Sequence, residues 1–358
     1  MHEIIVDDIV FNSEFFRDSQ IPDYFHKTSQ HQKLYLFLKE WFSDDSHIQL
    51  HTSGSTGEPK QITVEKRKML QSANMTCNFF NLKENDKALL CLSADYIGGK
   101  MMVVRAICCR LNLHIVEPSG NPLKEASQYY DFAAMVPLQV YNSIKDEDGK
   151  ERLAKIKNLI VGGSPIDKEL EGTLRNFPNS VYSTYGMTET LSHIGLRKIN
   201  GEKPDSFYIP LPGVSLKLSD EQTLIIDAPL LSDQLIVTND IVEIKANNTF
   251  RILGRIDNVI NTGGMKVQAE EVEQQLRPYI MGNFVVTSIP HSKLGECIVL
   301  LADTSNNEDY IKDIAEKVLP QYQQPKHFIT VTDIPITGNG KTDRASAKKL
   351  AQDIHSNI

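Results

Sequence analysis

The sequence predicts an α/β protein. A large N-terminal unit with a parallel sheet flanked by helices and an antiparallel β-rich appendage is followed by a small α+β unit. Three observations predict this. Strand-like and helix-like runs alternate between residues 47 and 184, the pattern of a parallel sheet covered on both faces. Short β-rich stretches replace them from about Pro210, and a fresh α+β order follows Gly254.

The first element is a helix. Between His31 and Asp44, the residues Leu34, Phe37, Leu38, Trp41 and Phe42 fall at i, i+3, i+4, i+7 and i+8, one apolar stripe. Strands are expected at 47–51, 87–93, 114–118, 132–137, 158–162 and 180–184. The intervals leave room for crossover helices, such as 99–111 and 167–176. The appendage reads as strands at 224–226, 234–238, 242–245 and 250–253, with Asn247-Asn248 as a hairpin turn. The second unit reads helix 269–276, strands 284–289 and 297–302, helix 309–319, strand 327–331 and a closing helix from Arg344. The expected division is therefore 1–253 and 254–358, in keeping with a prior of ~150 residues per domain.

Composition narrows the function classes. With 41% hydrophobic and 23% charged residues, the chain can bury a core. Lys plus Arg number 38 against 46 Asp plus Glu, a formal charge of −8, which disfavours nucleic acid or an anionic membrane as partner. The longest apolar run, Cys297 to Ala302, has six residues, far short of the ~20 a span requires. The start lacks a basic segment followed by an apolar one, so a cytoplasmic protein is expected. The five cysteines (Cys77, Cys91, Cys108, Cys109, Cys297) show no CxxC spacing, which predicts buried thiols rather than a disulfide framework or a zinc site.

The most informative segment is His51-Thr52-Ser53-Gly54-Ser55-Thr56-Gly57-Glu58-Pro59-Lys60, directly after an expected strand. Gly54 and Gly57 let backbone approach a ligand, the hydroxyls and N–H groups suit phosphate oxygens, and Lys60 adds charge. It is not a Walker A loop, because Glu58-Pro59 separates Gly57 from the lysine.

Further segments sit at telling intervals: Ser183-Thr184-Tyr185-Gly186-Met187-Thr188-Glu189-Thr190, Val237-Thr238-Asn239-Asp240, Gly254-Arg255-Ile256-Asp257, Asn261-Thr262-Gly263-Gly264, and Thr337-Gly338-Asn339-Gly340-Lys341-Thr342-Asp343-Arg344. Their order resembles the acyl-adenylate-forming superfamily of acyl-CoA ligases, luciferases and peptide-synthetase adenylation domains, from about residue 50 to residue 345. The resemblance implies ATP, Mg²⁺ and CoA as ligands. It assigns Ser53, Gly54, Ser55, Thr56, Gly57 and Lys60 to the ATP phosphates, and Gly162, Gly163, Ser164, Tyr185 and Gly186 to the adenine pocket. Thr188 would meet the α-phosphate and Glu189 would hold Mg²⁺, a hard cation suited to oxygen donors. Asp240 would accept the ribose hydroxyls, with Arg255 as a second ribose or phosphate contact. Lys341 would be the catalytic lysine of the small domain, and Asp257 the hinge about which that domain turns between adenylation and thiol attack.

Two departures stand out. Relatives carry Tyr-x-Thr-Gly-Asp where this chain has Val237-Thr238-Asn239-Asp240; asparagine's tolerance of positive φ is expected to preserve the turn. The region before the phosphate loop is also shorter than in typical members. The stretch from Tyr185 to Ile194 with Arg197 looks most like the o-succinylbenzoate:CoA ligases of menaquinone synthesis. That acid carries a second carboxylate, for which Ser192, His193, Arg197, Lys100 and Arg105 are the available donors, and Tyr96 is expected to wall the acyl pocket. Other aryl or fatty acids, carrier loading, and an ATP-binding regulatory protein on the same fold are the alternatives.

Overall fold

Six parallel strands form the heart of the larger sheet, in the spatial order Ser180–Gly186, Ile156–Val161, Tyr130–Met135, Lys87–Leu90, Asn112–Ile115 and Glu3–Val6. The computed structural model describes residues 3–17, 21–51, 61–126, 129–201, 205–305, 307–336 and 342–356. Antiparallel strands close both edges, making nine: His193–Lys198 and Ile209–Pro210 at one side, Ile9–Asn12 at the other.

Alternation along the central strands assigns the two faces. Ala88, Leu90, Phe132 and Ala134 join one apolar cluster, with Met69, Ala73 and Met101 to Val104 of the helices Lys66–Phe80 and Ile97–Cys109. Leu89, Ala133 and Met135 join a second cluster, with Val140, Leu153, Leu170 and Leu174 of the helices Pro137–Ile144, Glu147–Ala154 and Lys168–Leu174. The first helix spans Ser29–Trp41, and Thr28 caps it by accepting the His31 N–H. Asp167 likewise caps its helix, accepting the Leu170 N–H at 2.8 Å.

The expected strand 132–137 ends earlier, because Val136 and Pro137 open a helix. The expected helix 99–111 stops at Cys109, where Arg110 turns left-handed with φ of 53°. The four-stranded appendage comprises Ser215–Leu218, Thr223–Asp227, Ile236–Ile244 and Phe250–Arg255. The two strands expected at 234–238 and 242–245 are one, irregular in register between Ile241 and Val242.

The later residues build a separate five-stranded sheet from Val259–Thr262, Met265–Gln268, Phe284–His291, Gly295–Asp303 and His327–Val331. Ala269–Leu276 and Glu308–Val318 cover one face of it, and Arg344–Ser356 the other. The apolar clusters divide accordingly: two draw on residues between 4 and 250, and two on residues between 260 and 351. Among the described residues no helix is long and apolar enough to cross a membrane.

The cysteine expectation needs correction. Cys77 and Cys109 form a disulfide, while Cys91, Cys108 and Cys297 are free. Spacing rules miss the pair because packing of two helices, not proximity in sequence, brings the sulfurs together.

Candidate active site

The parallel strands point their carboxyl ends at one rim, where open α/β sheets place ligands. Ile156–Val161 runs out into Gly162-Gly163, and Gly163 takes φ of +87°. A Cβ at Gly186 would lie 2.3 Å from the Ser192 carbonyl oxygen, so only glycine fits against the returning strand. Between them lies a tight turn carrying Thr188 and Glu189. Thr190 closes it, accepting the Met187 N–H at 2.9 Å, and Leu191 is held at φ of 65°. A bulky residue in the left-handed region is backbone strain of the kind found at functional turns. Glu189 is exposed and meets no charged partner among the described residues. A lone carboxylate next to Thr188 in sequence fits a hard cation that keeps phosphate and water as its other ligands.

Asp240 and Arg255 lie directly opposite one another on paired strands. Asp240 is 8% exposed. Arg255 Nη1 donates to its Oδ1 at 3.2 Å, the Tyr185 hydroxyl donates to its Oδ2, and its own N–H reaches Thr238 Oγ1 at 3.1 Å. Burial and the adjacent Asp240 carboxylate push the Tyr185 pKa far up, so the phenol keeps its proton. Arg255 Nη2 donates to Asp257 Oδ2 at 2.8 Å. Burial works against the guanidinium charge, yet Asp257 and Asp240 hold its pKa above the ordinary value. Asn239 does not adopt positive φ. It is a strand residue whose Nδ2 donates to both Asp257 oxygens, at 3.0 and 3.1 Å.

A second polar chain runs beneath the turn. Arg105, 2% exposed, donates from Nη2 to Ser192 Oγ at 2.6 Å. Ser192 Oγ lies 3.4 Å from His193 Nδ1, and His193 Nε2 lies 3.1 Å from Thr76 Oγ1. Thr76 donates to the Ser72 carbonyl at 3.3 Å. Following the donors fixes the imidazole: Nε2 carries the hydrogen toward Thr76, and Nδ1 accepts from Ser192. Burial, then the neighbouring guanidinium, drives the His193 pKa well below its usual range, so the ring is neutral. Among the described residues the Arg105 donors reach Ser192 and, at 3.6 Å, Met102 Sδ, but no carboxylate; its Nε is buried without a partner, and burial pushes its pKa down to about 10.

The other two cations are placed differently. Arg197, one of the candidate donors, is paired with Glu171 through two bonds of 3.0 and 2.7 Å. Lys100 sits over the Phe37 ring at 5.4 Å. Five residues along one helix put it about 140° round from Arg105. Tyr96, 52% exposed, precedes the first turn of that helix. Ser53, Gly54, Ser55, Thr56, Gly57, Lys60 and Lys341 lie outside the described residues. Their flanks are paired: His51 with Gln61, and Ile336 with Thr342.

Residues 19–228, more than half of the chain, match the AMP-binding enzyme family. The chain belongs to that family. An acyl-CoA synthetase (AMP-forming)/AMP-acid ligase II-like protein from Dyadobacter fermentans is similar to this chain nearly end to end. The two are 30% identical, with a TM-score of 0.64 over 95% of this chain and 98% of the other. The 2-succinylbenzoate–CoA ligase of Haemophilus influenzae is 25% identical over an alignment 286 positions long, gaps included, that covers 75% of this chain and 61% of the relative. The chain thus spans about three fifths of that ligase's length. A D-alanine–D-alanyl carrier protein ligase from Staphylococcus aureus is 24% identical over an alignment 372 positions long, gaps included, that covers 92% of this chain and 75% of its own.

Sequence reasoning passed over two residues of the candidate site. Thr76 lies on a helix whose buried face is Met69, Ser72, Ala73, Thr76 and Cys77, too polar to give an apolar period. Glu171, 26 residues before Arg197 in the chain, carried no signal as its partner.

Proposed function

We propose that the chain is an ATP-dependent carboxylic acid:CoA ligase that works through an acyl-adenylate, with o-succinylbenzoate as its acid. The observation that carries the acid is Arg105. A buried guanidinium with no described carboxylate of its own, already hydrogen-bonded to a serine hydroxyl, favours an anionic group supplied by the ligand.

In the first half-reaction a carboxylate oxygen of the acid attacks the α-phosphorus of ATP. The acyl–phosphate bond forms as the bond to pyrophosphate breaks. The Asp240 carboxylate offers about four lone-pair sites. Tyr185 and Arg255 use two, leaving two for the ribose O–H groups. Gly162, Gly163, Ser164 and Gly186 border the adenine, and Thr188 meets the α-phosphate. Lys341 and the Ser53 to Lys60 loop offset charge on the phosphoryl oxygens. Mg²⁺, when bound, polarises those oxygens, and Glu189 is the carboxylate that would hold it. In the second half-reaction the CoA thiol, losing its proton, attacks the acyl carbon and AMP leaves. The units 1–253 and 254–358 turn on Asp257 between the halves, a division supported by their separate apolar clusters.

Pyrophosphate release across a panel of acids, with and without CoA, tests this. o-Succinylbenzoate is expected to outpace benzoate, cinnamate and medium-chain fatty acids. A faster monocarboxylate overturns the acid and leaves the ligase. Transfer to a carrier thiol but not to CoA overturns the acceptor, and silence with every acid overturns the activity.

A further inference from the structure

The asparagine at position 239 stands where the resemblance expects glycine, and no left-handed backbone accounts for it. Its side chain does. Asp257 receives Asn239 Nδ2 on both oxygens, at 3.0 and 3.1 Å, and Arg255 Nη2 at 2.8 Å. The donors come from neighbouring strands, Ile236–Ile244 and Phe250–Arg255, whereas Asp257 lies in the short turn Ile256–Asn258 that leads out of the appendage. Arg255 also holds Asp240 at 3.2 Å, so its position is fixed from the nucleotide side. Asn239 has no further described partner for its side chain, and it touches Asp257 from a strand that the turn itself does not belong to.

We propose that Asn239 is a positioning residue that latches the Asp257 carboxylate, and that release of this latch sets how readily residues 254–358 swing between the two half-reactions. The proposal rests on Asp257 being the pivot. Changing the torsions of 256–258 moves the Asp257 carboxylate relative to the strand, so the Asn239 bonds must break before the turn can adopt another form. A glycine at this position offers no such bond. The latch is solvent-exposed, so its effect is small: about two- to fivefold, as for other exposed polar pairs.

Asn239→Ala and Asn239→Gly are compared with wild type in the full chain. Single-turnover pyrophosphate release from o-succinylbenzoate and Mg·ATP reads the first half-reaction, and consumption of preformed acyl-adenylate by CoA reads the second. Limited trypsin cleavage after Arg255 reads the turn directly and needs no substrate. Both variants are expected to change the ratio of the two half-reaction rates by about two- to fivefold and to speed cleavage after Arg255 by a similar factor. An unchanged ratio overturns the proposal, whether or not cleavage quickens, and so does an equal loss in both half-reactions. If wild type releases no pyrophosphate with any acid, the ligase reading has failed instead, and the cleavage rates still decide whether Asn239 holds the turn.

Discussion

Arg105→Met is the sharpest test of the acyl site, because it removes a buried charge and substitutes an unbranched side chain suited to the Phe132 ring beneath it. Burial lowers the guanidinium pKa from 12.5 to about 10. At ~1.4 kcal/mol for each tenfold change in proton affinity, the naked charge costs the ligand-free protein about 3 kcal/mol. Two outcomes follow from that one figure. The ligand-free variant gains up to about 3 kcal/mol in urea unfolding, since the strain of an unpaired buried cation is gone. The same energy is recovered in wild type when a ligand carboxylate pairs with Arg105, so the variant's KM for o-succinylbenzoate rises about 100-fold. Benzoate, having no distal carboxylate, keeps its KM within about twofold. An o-succinylbenzoate KM that stays put, or a benzoate KM that rises in step with it, refutes the pairing.

Three further outcomes are expected. Asp240→Ala strands the ribose hydroxyls, a loss of about 1.5–3 kcal/mol for bonds to a charged acceptor; ATP affinity falls at least about tenfold, and discrimination against 2′-deoxy-ATP, measured by competition, collapses. Lys341→Ala slows pyrophosphate release by several orders of magnitude while leaving CoA attack on supplied acyl-adenylate intact; equal losses in both would falsify the assignment. His193 titrates well below 6.5 in the folded chain because of burial and Arg105. The unfolded chain therefore takes up a proton near pH 6.5 that the folded chain refuses, so this contribution to stability is complete above that pH and is lost below it, at up to ~1.4 kcal/mol per pH unit. Urea midpoints for wild type and His193→Asn should diverge between pH 6.5 and 5, and parallel curves count against a neutral buried ring.

Motif residues and fold class were legible where local chemistry dictates them. The stripe from Leu34 to Phe42 forecast its helix, and the alternation of strands and helices forecast the parallel sheet. The Asp240 and Arg255 segments, 15 residues apart, proved to be opposite partners. Other features depend on packing and could not be read. The hairpin Glu3–Val6 and Ile9–Asn12 turns on Asp7-Asp8, both left-handed at φ of 46° and 67°, without the Asn-Gly signal that usually marks such a turn. The ion pair of Arg197 with Glu171 joins a strand to a helix distant in sequence. Likewise Arg105, Ser192 and Thr76 meet only because two helices and a strained turn converge.

The paired strands that hold Asp240 and Arg255 also lead straight into Asp257. Only Ile256 separates Arg255 from Asp257, so the two Cα atoms are about 7 Å apart at most. With Asp257 as the proposed pivot and Asp240 as the proposed ribose acceptor, a bound ribose would lie close to the rotation axis, where even a wide swing produces little displacement. Groups far along the second unit travel in proportion to their distance from that axis. On that proposal the nucleotide would sit at the fulcrum and the far end of the second unit at the end of the lever, so one reactant could stay seated while the chemistry presented to it is exchanged.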